Sequence, residues 1–429
     1  MAVWERVRRE PSLLRRNSNF RLLFNADAVS NIGTEISYLA LTLLAVVTLH
    51  ATPLEVGALQ ASSTLAFLVV GLPAGAWVDR LAKRPMLLRT DLLRFALFGS
   101  IPLAAAFDAL TLPHLMVVAL LAGVATVLFD IAHYAYLPAI VAKPDLTAAN
   151  GLFAATHSVA HVTGPGISGL VVKLLGAPVA VLVDALTYLT SFFFVRGIEA
   201  PEPPRSSADE RHLRREIAEG LRFLLATTTL RRIAASTAGF NFMGAMESAV
   251  TVLFLARTVG VDAGVIGLLF TVAGLGGVVG ALLAPRITQR LGMAFGIRVL
   301  PLIATPLTLL IPLTDRGWRL ALFCVGFGAL SFGVAVFNVA QNSYRQAVVP
   351  AELLGRVSAS LRFISWGSMP VAALVGGALA GAIGTRNTLW IACSGYVLVV
   401  LLLLRVSTEE VEAAFSPAEV APEPPSPPR

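Results

Sequence analysis

Five acidic residues stand singly inside long apolar stretches of the sequence: Asp27, Glu35, Asp130, Asp184 and Glu247. A carboxyl group in surroundings of low dielectric constant holds its proton more tightly than in water, so it can exchange a proton near neutral pH. Charged groups are costly in such surroundings and by default mark a functional site. We therefore predict that Glu35 or Asp27 exchanges a proton, with Asp130 and Glu247 as the next candidates. The alternative for each is a structural hydrogen bond or ion pair.

Polar residues near the first two acids share one helical face. Asp27, Asn31 and Glu35 are spaced four residues apart, and Tyr38 falls close to the same line. Residues at i and i+4 lie on the same face of an α-helix. The spacing predicts a polar stripe that faces a water-filled cavity rather than lipid.

Histidines accompany two of the candidate acids. His157 and His161 are one helical turn apart, and His133 and Tyr134 follow Asp130 closely. Two histidines at i and i+4 are typical of a metal site or a proton relay, but no third ligand or HExxH pattern accompanies them. We interpret the histidines as structural and predict neither a bound metal nor a cofactor.

The composition excludes a water-soluble enzyme. Of 429 residues, 56% are hydrophobic and only 14% are charged, and the mean hydropathy is +0.76. Soluble domains carry about 25% charged residues. The apolar residues form runs long enough to span a bilayer as helices, at about 18 residues or more each. Both cysteines, Cys324 and Cys393, lie within such runs, which argues against a disulfide framework.

The runs predict an all-α membrane protein of twelve transmembrane helices in two pseudo-symmetric six-helix bundles. The predicted spans are 21–48, 56–78, 86–107, 112–136, 148–173, 177–196, 232–256, 263–284, 293–313, 318–341, 357–383 and 387–405. The predicted organisation is a basic arm at 1–20, bundles at 21–196 and 232–405, a charged linker at 197–231, and a disordered acidic, proline-rich tail at 406–429.

The basic residues indicate the orientation. When the arm, the linker and alternate loops are placed on one side, that side collects all but five of the 33 basic residues. The five exceptions are Lys173, Arg257, Arg316, Arg319 and Arg386. By the positive-inside rule the rich side is cytoplasmic, so both termini are expected inside the cell. The net charge of +7 is thus a topology signal, and no nucleic-acid partner is predicted.

The two bundles are weak repeats of each other. Matching residues recur at an offset of about 205 to 212 positions. They are Arg21 with Arg232, Gly33 with Gly244, Glu35 with Glu247, Pro165 with Pro370, and Gly169 with Gly376. Duplicated bundles place a substrate path at their interface near the membrane midplane. This arrangement indicates a transporter that works by alternating access.

Two motifs connect the chain to a known family. The stretch Gly75-Ala-Trp-Val-Asp79-Arg80-Leu-Ala-Lys83-Arg84 resembles the cytoplasmic loop signature of the major facilitator superfamily. The stretch Gly164-Pro165-Gly166-Ile-Ser-Gly169 resembles the Gly-Pro motif of antiporters in that superfamily. Further stretches, among them NFRLLFNADAVSNIG and VDALTYLTS, resemble the bacterial branch that holds the enterobactin exporter and macrolide efflux proteins.

The resemblance implies a cytoplasmic gate. Asp79, Arg80 and Arg84 are expected to latch the inner face, with Asp79 capping a helix or pairing with Arg94. The alternative is that these charges merely end spans and fix topology. The second bundle has Ala284-Pro285 where the acid is expected, which argues against a symmetric latch. The glycine-proline motif is expected to bend and pack the fifth helix against proton leak, or simply to pack it.

The resemblance also implies which side chains line the cavity, since helices one, four, seven and ten do so in this superfamily. Glu35, Asp130, Glu247 and Asn338 are then expected to reach the cavity. The other cavity candidates are Asn31, Tyr38, Tyr134 and Asn241, and an aromatic wall is expected from Tyr38, Phe240, Phe242 and Phe337.

We therefore predict a secondary transporter of the cytoplasmic membrane that exports a small organic molecule, such as a drug or siderophore, in exchange for protons. The chain is expected to act as a monomer in the lipid bilayer and not as an enzyme, because no nucleophile with a base can be placed. No GxxxxGK[ST] loop for ATP is present. An importer or lysophospholipid translocator of the same fold, and a receptor or scaffold without transport, remain as alternatives.

Overall fold

The computed structural model of the chain describes residues 13–200 and 213–415, without the side chains of residues 72, 73, 75, 76, 79, 213–218 and 351. Within these ranges the secondary structure is helical, with no strand. Residues 1–12 of the predicted arm and 416–429 of the predicted tail lie outside the described residues.

Six long helices form the first half. They are α1 (Ser18–Leu43), α2 (Pro53–Arg80), α3 (Lys83–Ala106), α4 (Leu112–Ile140), α5 (Leu146–Leu175) and α6 (Ala177–Arg196). A turn at Leu13–Arg16 precedes α1, and a 3-10 turn at Lys143–Asp145 precedes α5. Side-chain caps fix where two helices begin: Asn17 accepts a hydrogen bond from the Phe20 amide at 2.9 Å, and Thr52 and Glu55 form a capping box.

A linker helix, Leu213–Ala226, leads into the second half. Its helices are α7 (Thr228–Leu253), α8 (Ala263–Leu291), α9 (Leu300–Ala304), α10 (Leu320–Val348), α11 (Ala351–Gly367 and Met369–Ile383) and α12 (Thr385–Val400). Around α9, a π-helical turn at Phe295–Val299 and a 3-10 segment at Thr305–Leu313 complete the span, and further 3-10 turns lie at Gly317–Arg319 and Leu401–Arg405.

The predicted fold class is confirmed. Eleven helical segments among the described residues have the length and hydropathy of membrane spans. The predicted third span corresponds to α3, which is 24 residues long and packs against α4 and α6. Its first half carries five charged residues, Lys83, Arg84, Arg89, Asp91 and Arg94, which lower its hydropathy although it occupies a place in the bundle.

The halves repeat each other in local structure as well as in sequence. Helix α1 ends in a π-helical turn at Leu44–Thr48, and α7 ends in one at Phe254–Val259. The next helix begins at Thr52 in the first half and at Asp262 in the second, each with a side-chain cap. Both features recur at an offset of 210 residues, which agrees with the offset of the matching residues.

Glycine pairs join the two halves at one end of the bundle. This end, which we call the sealed end, holds the α1–α2, α5–α6, α7–α8 and α11–α12 connections. A Cβ at Gly169 of α5 would lie 2.8 Å from the Gly267 Cα of α8. A Cβ at Gly57 of α2 would lie 3.1 Å from the Gly377 Cα of α11. Only glycine permits such close backbone approach, so both crossings depend on these residues.

Basic side chains reinforce the sealed end. Lys173 Nζ lies 3.3 Å from Asp262 Oδ2, and Arg257 donates to the Val46 carbonyl at 2.8 Å. Both contacts connect the two halves. The amide of Val265, with Lys173 acting in the same direction, holds the pKa of Asp262 below its usual value, so the carboxylate is charged at neutral pH.

The opposite end, which we call the charged end, holds the linker helix, the α2–α3 loop and the first and last described segments, Leu13–Arg16 and Thr408–Ala413. Here one prediction is wrong: the expected disordered tail is folded over its first residues, with a helix at Thr408–Ala413. Val411 is fully buried, and Glu412 accepts a hydrogen bond from the Ala294 amide at 2.8 Å. A buried valine and hydrogen-bonded carboxylates thus hold this short acidic segment against the second half.

Candidate functional site

Three adjoining cavities lie among the described residues between the two halves. The C-half cavity, about 660 Å³, is lined by α7, α9, α10, α11 and α12 and extends to Gln346 near the charged end. The N-half cavity, about 460 Å³, is lined mainly by α1, α2 and α4. The central cavity, about 350 Å³, takes its walls from both halves. Tyr38 borders the central and N-half cavities, and Gly244 borders the central and C-half cavities.

A carboxylate and an imidazole meet on the wall of the central cavity. His161 Nδ1 of α5 lies 3.2 Å from Glu35 Oε1 of α1. The Glu35 side chain is 28% exposed and that of His161 is 74% exposed. We expected His161 to be a structural histidine, but the structure places it in contact with the leading acid candidate. His157, one turn away, is also exposed and interacts electrostatically with Glu35 and His161.

The glycine-proline motif positions this pair. A Cβ at Gly164 would collide with the Glu35 side chain, so glycine allows α5 to approach α1 at this level. A Cβ at Gly166 would lie 2.6 Å from Thr271 Oγ1 of α8. Gly169 makes the crossing with Gly267, and the Pro165 carbonyl faces the same glycine. The motif therefore packs α5 against both α1 and α8.

Tyr38 connects the two halves beside the pair. Its hydroxyl lies 2.8 Å from Ser248 Oγ of α7 and donates to Gln60 Oε1 of α2 at 3.2 Å. Gln60 in turn donates to Thr42 at 3.3 Å. This hydrogen-bonded chain joins α1, α2 and α7 across the central cavity.

Glu247 borders the same cavity from the second half and is almost fully enclosed. Glu247 is only 3% exposed. The Tyr396 hydroxyl donates a hydrogen bond to Glu247 Oε2 at 2.7 Å. The other oxygen, Oε1, has no hydrogen-bond partner among the described residues.

Asp27 does not share the cavity wall with Glu35, so the predicted stripe is wrong at this position. Asp27 is 7% exposed, and its Oδ1 lies 3.9 Å from His133 Nε2 of α4. His133 is itself enclosed by the rings of Phe129 and Phe153. Successive i+4 steps rotate about 40° around a helix, so Asp27 and Glu35 point about 80° apart. Asn31 lies between them, one helical turn from each.

Of the remaining candidate residues in the first half, some lie at a cavity and one lies in the buried core. Asp130 is exposed and lines the N-half cavity. Tyr134 is 54% exposed and interacts electrostatically with Asp27, Asp130 and Arg362. Asp184 is fully buried and accepts from Thr187 Oγ1 at 3.1 Å, which fits a structural role.

Two of the predicted cavity residues with carboxamide side chains line the C-half cavity. Two arginines line it as well, although the sequence analysis used them only as indicators of membrane orientation. Asn241 and Asn338 both line it, and Asn338 accepts from Gln341 at 2.7 Å. Arg345 and Arg362 line the same cavity. The position of Arg362 inside the predicted span 357–383 is the signal that could have identified it.

The basic residues of the gate motif cap helix ends. Lys83 donates to the carbonyls of Val78 and Leu81, the latter at 2.9 Å, and so caps the carboxyl end of α2. Arg84 donates to the Arg196 carbonyl at 2.6 Å, at the end of α6. Arg80 is exposed.

Arg94 has a partner within its own helix. Its Nη2 lies 2.5 Å from Asp91 Oδ1, and its guanidinium stacks over the rings of Phe129 and Tyr188 at 4.2 and 4.3 Å. The side chain of Asp79 is outside the described part of the structure, so the Asp79–Arg94 pair stays a prediction.

The fold agrees with comparisons to known proteins. The model of the transmembrane secretion effector family matches residues 13–427. The chain belongs to this family of major facilitator transporters. Curated relatives include the multidrug efflux pump Tap of Mycolicibacterium fortuitum, 27% identical over 86% of this chain and 90% of that protein. The Tap protein of Mycobacterium tuberculosis is 27% identical over 91% of this chain and 96% of that protein.

Solved structures share the major facilitator fold. The nucleoside transporter NupG has a TM-score of 0.73 at 12% identity and covers 91% of this chain and 100% of its own. An inward-facing bacterial homologue of the iron transporter ferroportin has a TM-score of 0.72 at 13% identity, covering 92% and 99%. This major facilitator protein is therefore a multi-pass membrane transporter for a small molecule.

Proposed function

We propose that this transporter exports a small organic molecule across the cell membrane in exchange for protons. The observation that carries the proposal is the Glu35–His161 pair on the wall of the central cavity. Imidazole changes its charge between about pH 5 and 8. The Glu35 carboxylate lies within hydrogen-bond distance of the imidazole, so the pair is suited to exchange protons with a cavity that also admits cargo.

Alternating access fits the arrangement of contacts. Two glycine crossings and two basic contacts close the sealed end between the halves. The C-half cavity extends instead toward the charged end, as far as Arg345 and Gln346 in the last turn of α10. The excess of basic residues supports a cytoplasmic location for the charged end. On this proposal the described state receives cargo from the cytoplasm.

Coupling then follows from the contacts around Glu35. Cargo that reaches the central cavity from the cytoplasm meets a pair that has released its proton. Opening of the sealed end lets cargo leave outward and lets a proton reach Glu35 and His161. Tyr38 transmits the change between halves, since its hydroxyl contacts Ser248 beside Glu247.

The direction of transport rests on the relatives. Curated proteins that cover most of this chain are named multidrug efflux pumps. At 27% identity the name supports export, while the cargo is proposed from the cavities themselves.

The experiment is dye movement in proteoliposomes under an imposed pH gradient. The probe is ethidium, whose permanent charge prevents passive trapping as a weak base. Antiport predicts accumulation in the acidic compartment, with reversal when the gradient is reversed, whichever way the protein is inserted. Accumulation in the alkaline compartment would indicate symport and contradict the proposal.

Protein-free vesicles and the Glu35→Gln variant are the controls. A panel of aromatic dyes of fixed charge, including rhodamine B with its free carboxylate, extends the test beyond ethidium. If no dye moved in response to the gradient, the transport proposal would be rejected in favour of a scaffold.

A further inference from the structure

The C-half cavity has an unusual charge pattern. Two guanidinium groups, Arg345 and Arg362, line it. The carboxamide residues in the same wall are Asn241, Asn338, Gln341, Asn342 and Gln346. Among the described residues that line this cavity, none is acidic. The N-half cavity differs, since its charged lining residue is Asp130.

Neither arginine has a carboxylate partner within the described part of the chain. Arg345 Nη2 donates to Asn342 Oδ1 at 2.8 Å, and its Nε is buried without a hydrogen-bond partner. The two guanidinium groups lie close enough to repel each other electrostatically. Both sit on helices that form spans, where an unpaired charge is costly.

Other arginines of the protein show how such charges are otherwise matched. Arg94 lies 2.5 Å from Asp91, and Arg356, on the same helix as Arg362, lies 2.5 Å from Glu219. Arg345 and Arg362 are thus two neighbouring cations that lack the carboxylate found beside these other arginines. A ligand anion would supply the missing charge, and a guanidinium group binds carboxylate or phosphate oxygens with paired hydrogen bonds.

Aromatic rings line the same cavity next to the arginines. Phe240 packs against Tyr396 with ring centroids 5.5 Å apart and against Phe337 at 6.3 Å. Trp366, one turn after Arg362, lines both the C-half and the N-half cavity. A flat apolar body can stack on these rings while its anionic group reaches the guanidinium groups.

We propose that the C-half cavity is a subsite for the anionic group of the cargo, held by Arg345 and Arg362 and oriented by the surrounding carboxamides. The cargo class is an aromatic small molecule with a carboxylate, sulfonate or phosphate group. A cationic group on the same molecule finds its counterpart at Asp130 in the adjoining cavity. This inference rests on the proposed transport of a small organic molecule.

The test compares two dyes that differ in a single charge. Rhodamine B carries a fixed cation and a free carboxylate, and its ethyl ester keeps the cation but lacks the anion. Equilibrium binding of each dye to the purified full-length protein is measured by fluorescence anisotropy in a neutral detergent. The wild type is expected to bind the acid about tenfold more tightly than the ester, the range of a charge-assisted hydrogen bond.

Substitutions at the two arginines test whether they cause the preference for the acid over the ester. Arg345→Gln and Arg362→Gln should each bring the acid-to-ester preference close to one, and Arg345→Lys should restore part of it. Arg290→Gln removes an equal charge from an exposed position at the charged end and should leave the preference unchanged. Thermal unfolding of each variant confirms that it is folded.

Two results would overturn the subsite. One is equal binding of acid and ester by the wild type, and the other is an unchanged preference in both glutamine variants. Lysophosphatidylglycerol serves as a competitor that presents the same anion on a lipid. If lysophosphatidylglycerol does not displace rhodamine B at equal concentration, the result supports a soluble cargo. If the lipid binds more tightly than the dye, a soluble cargo is contradicted. Because binding is measured without a gradient, failure here is distinct from failure of proton-driven transport.

Discussion

Glu35 and Glu247 occupy matching positions in the two halves, yet their surroundings differ. Glu35 is partly exposed to the central cavity and lies 3.2 Å from a histidine. Glu247 is 3% exposed and bonds a tyrosine hydroxyl at 2.7 Å. Tyrosine does not change charge near neutral pH, whereas histidine does. On the proposed mechanism, the neighbours of these two acids decide which of them exchanges protons with cargo.

The largest effect is expected from Glu35→Gln. This variant keeps the size of the side chain but removes the group that exchanges the proton, so gradient-driven dye accumulation should fall by at least about tenfold, the scale of losing an essential proton-transfer group. Gradient-free exchange of labelled for unlabelled dye should persist. The control is Glu352→Gln, which alters an exposed acid at the charged end. Wild-type accumulation in Glu35→Gln would show that another group couples transport.

A Gly164→Ala variant tests whether close helix packing is needed at Glu35. The added methyl group collides with the Glu35 side chain and should separate it from His161. Driven transport is expected to fall by roughly fivefold to tenfold, since misplacement of about 1 Å in a reacting group is costly. Gly151→Ala is the matched control, because a Cβ there meets nothing within 4 Å. Equal activity of the two alanine variants would refute the packing requirement.

A His161→Asn substitution should change the pH profile more than the maximum rate. Asparagine can still donate to Glu35 but does not titrate, so the dependence of transport on pH between about 5 and 8, where imidazole changes its charge, should flatten. His50→Asn, in the exposed connection between α1 and α2, should retain the wild-type profile. The measurement is initial dye flux at constant gradient over a series of symmetric pH shifts. Identical profiles for both variants would argue against the role of His161.

The smallest effect is expected from Glu247→Gln. An amide oxygen can still accept the Tyr396 hydroxyl, so gradient dependence should remain, with a rate within about threefold of the wild type. Glu247→Ala should instead lower the free energy of unfolding by about 1–3 kcal/mol, because the Tyr396 hydroxyl loses its buried acceptor. Thermal unfolding separates the two variants. Loss of gradient dependence in Glu247→Gln would place coupling in the second half.

The fold could be predicted from the sequence because membrane spans are encoded locally. Length and hydropathy define each run, and helix α3 was predicted despite its charges because its second half is apolar. The tail was predicted less well, since docking of Thr408–Ala413 depends on a surface formed by distant residues such as Ala294 and Thr229.

The site could be predicted only in part, for geometric reasons. The Glu35 and Glu247 candidates came from isolated charge in apolar runs, which is visible in the sequence. The partner of Glu35 is 126 residues away, so the role of His161 required the structure. The partner of Arg94 could have been found from the sequence, because Asp91 stands three residues earlier on the same helix.

The most direct test of the account is proton movement during cargo transport. Vesicles loaded with a pH-sensitive dye and held without an initial pH gradient receive an outward or inward gradient of transported cargo. The wild type and Glu247→Gln are expected to move protons opposite to the cargo, while Glu35→Gln is expected to move cargo without protons. Proton movement in Glu35→Gln equal to that of the wild type, with loss in Glu247→Gln, would contradict it.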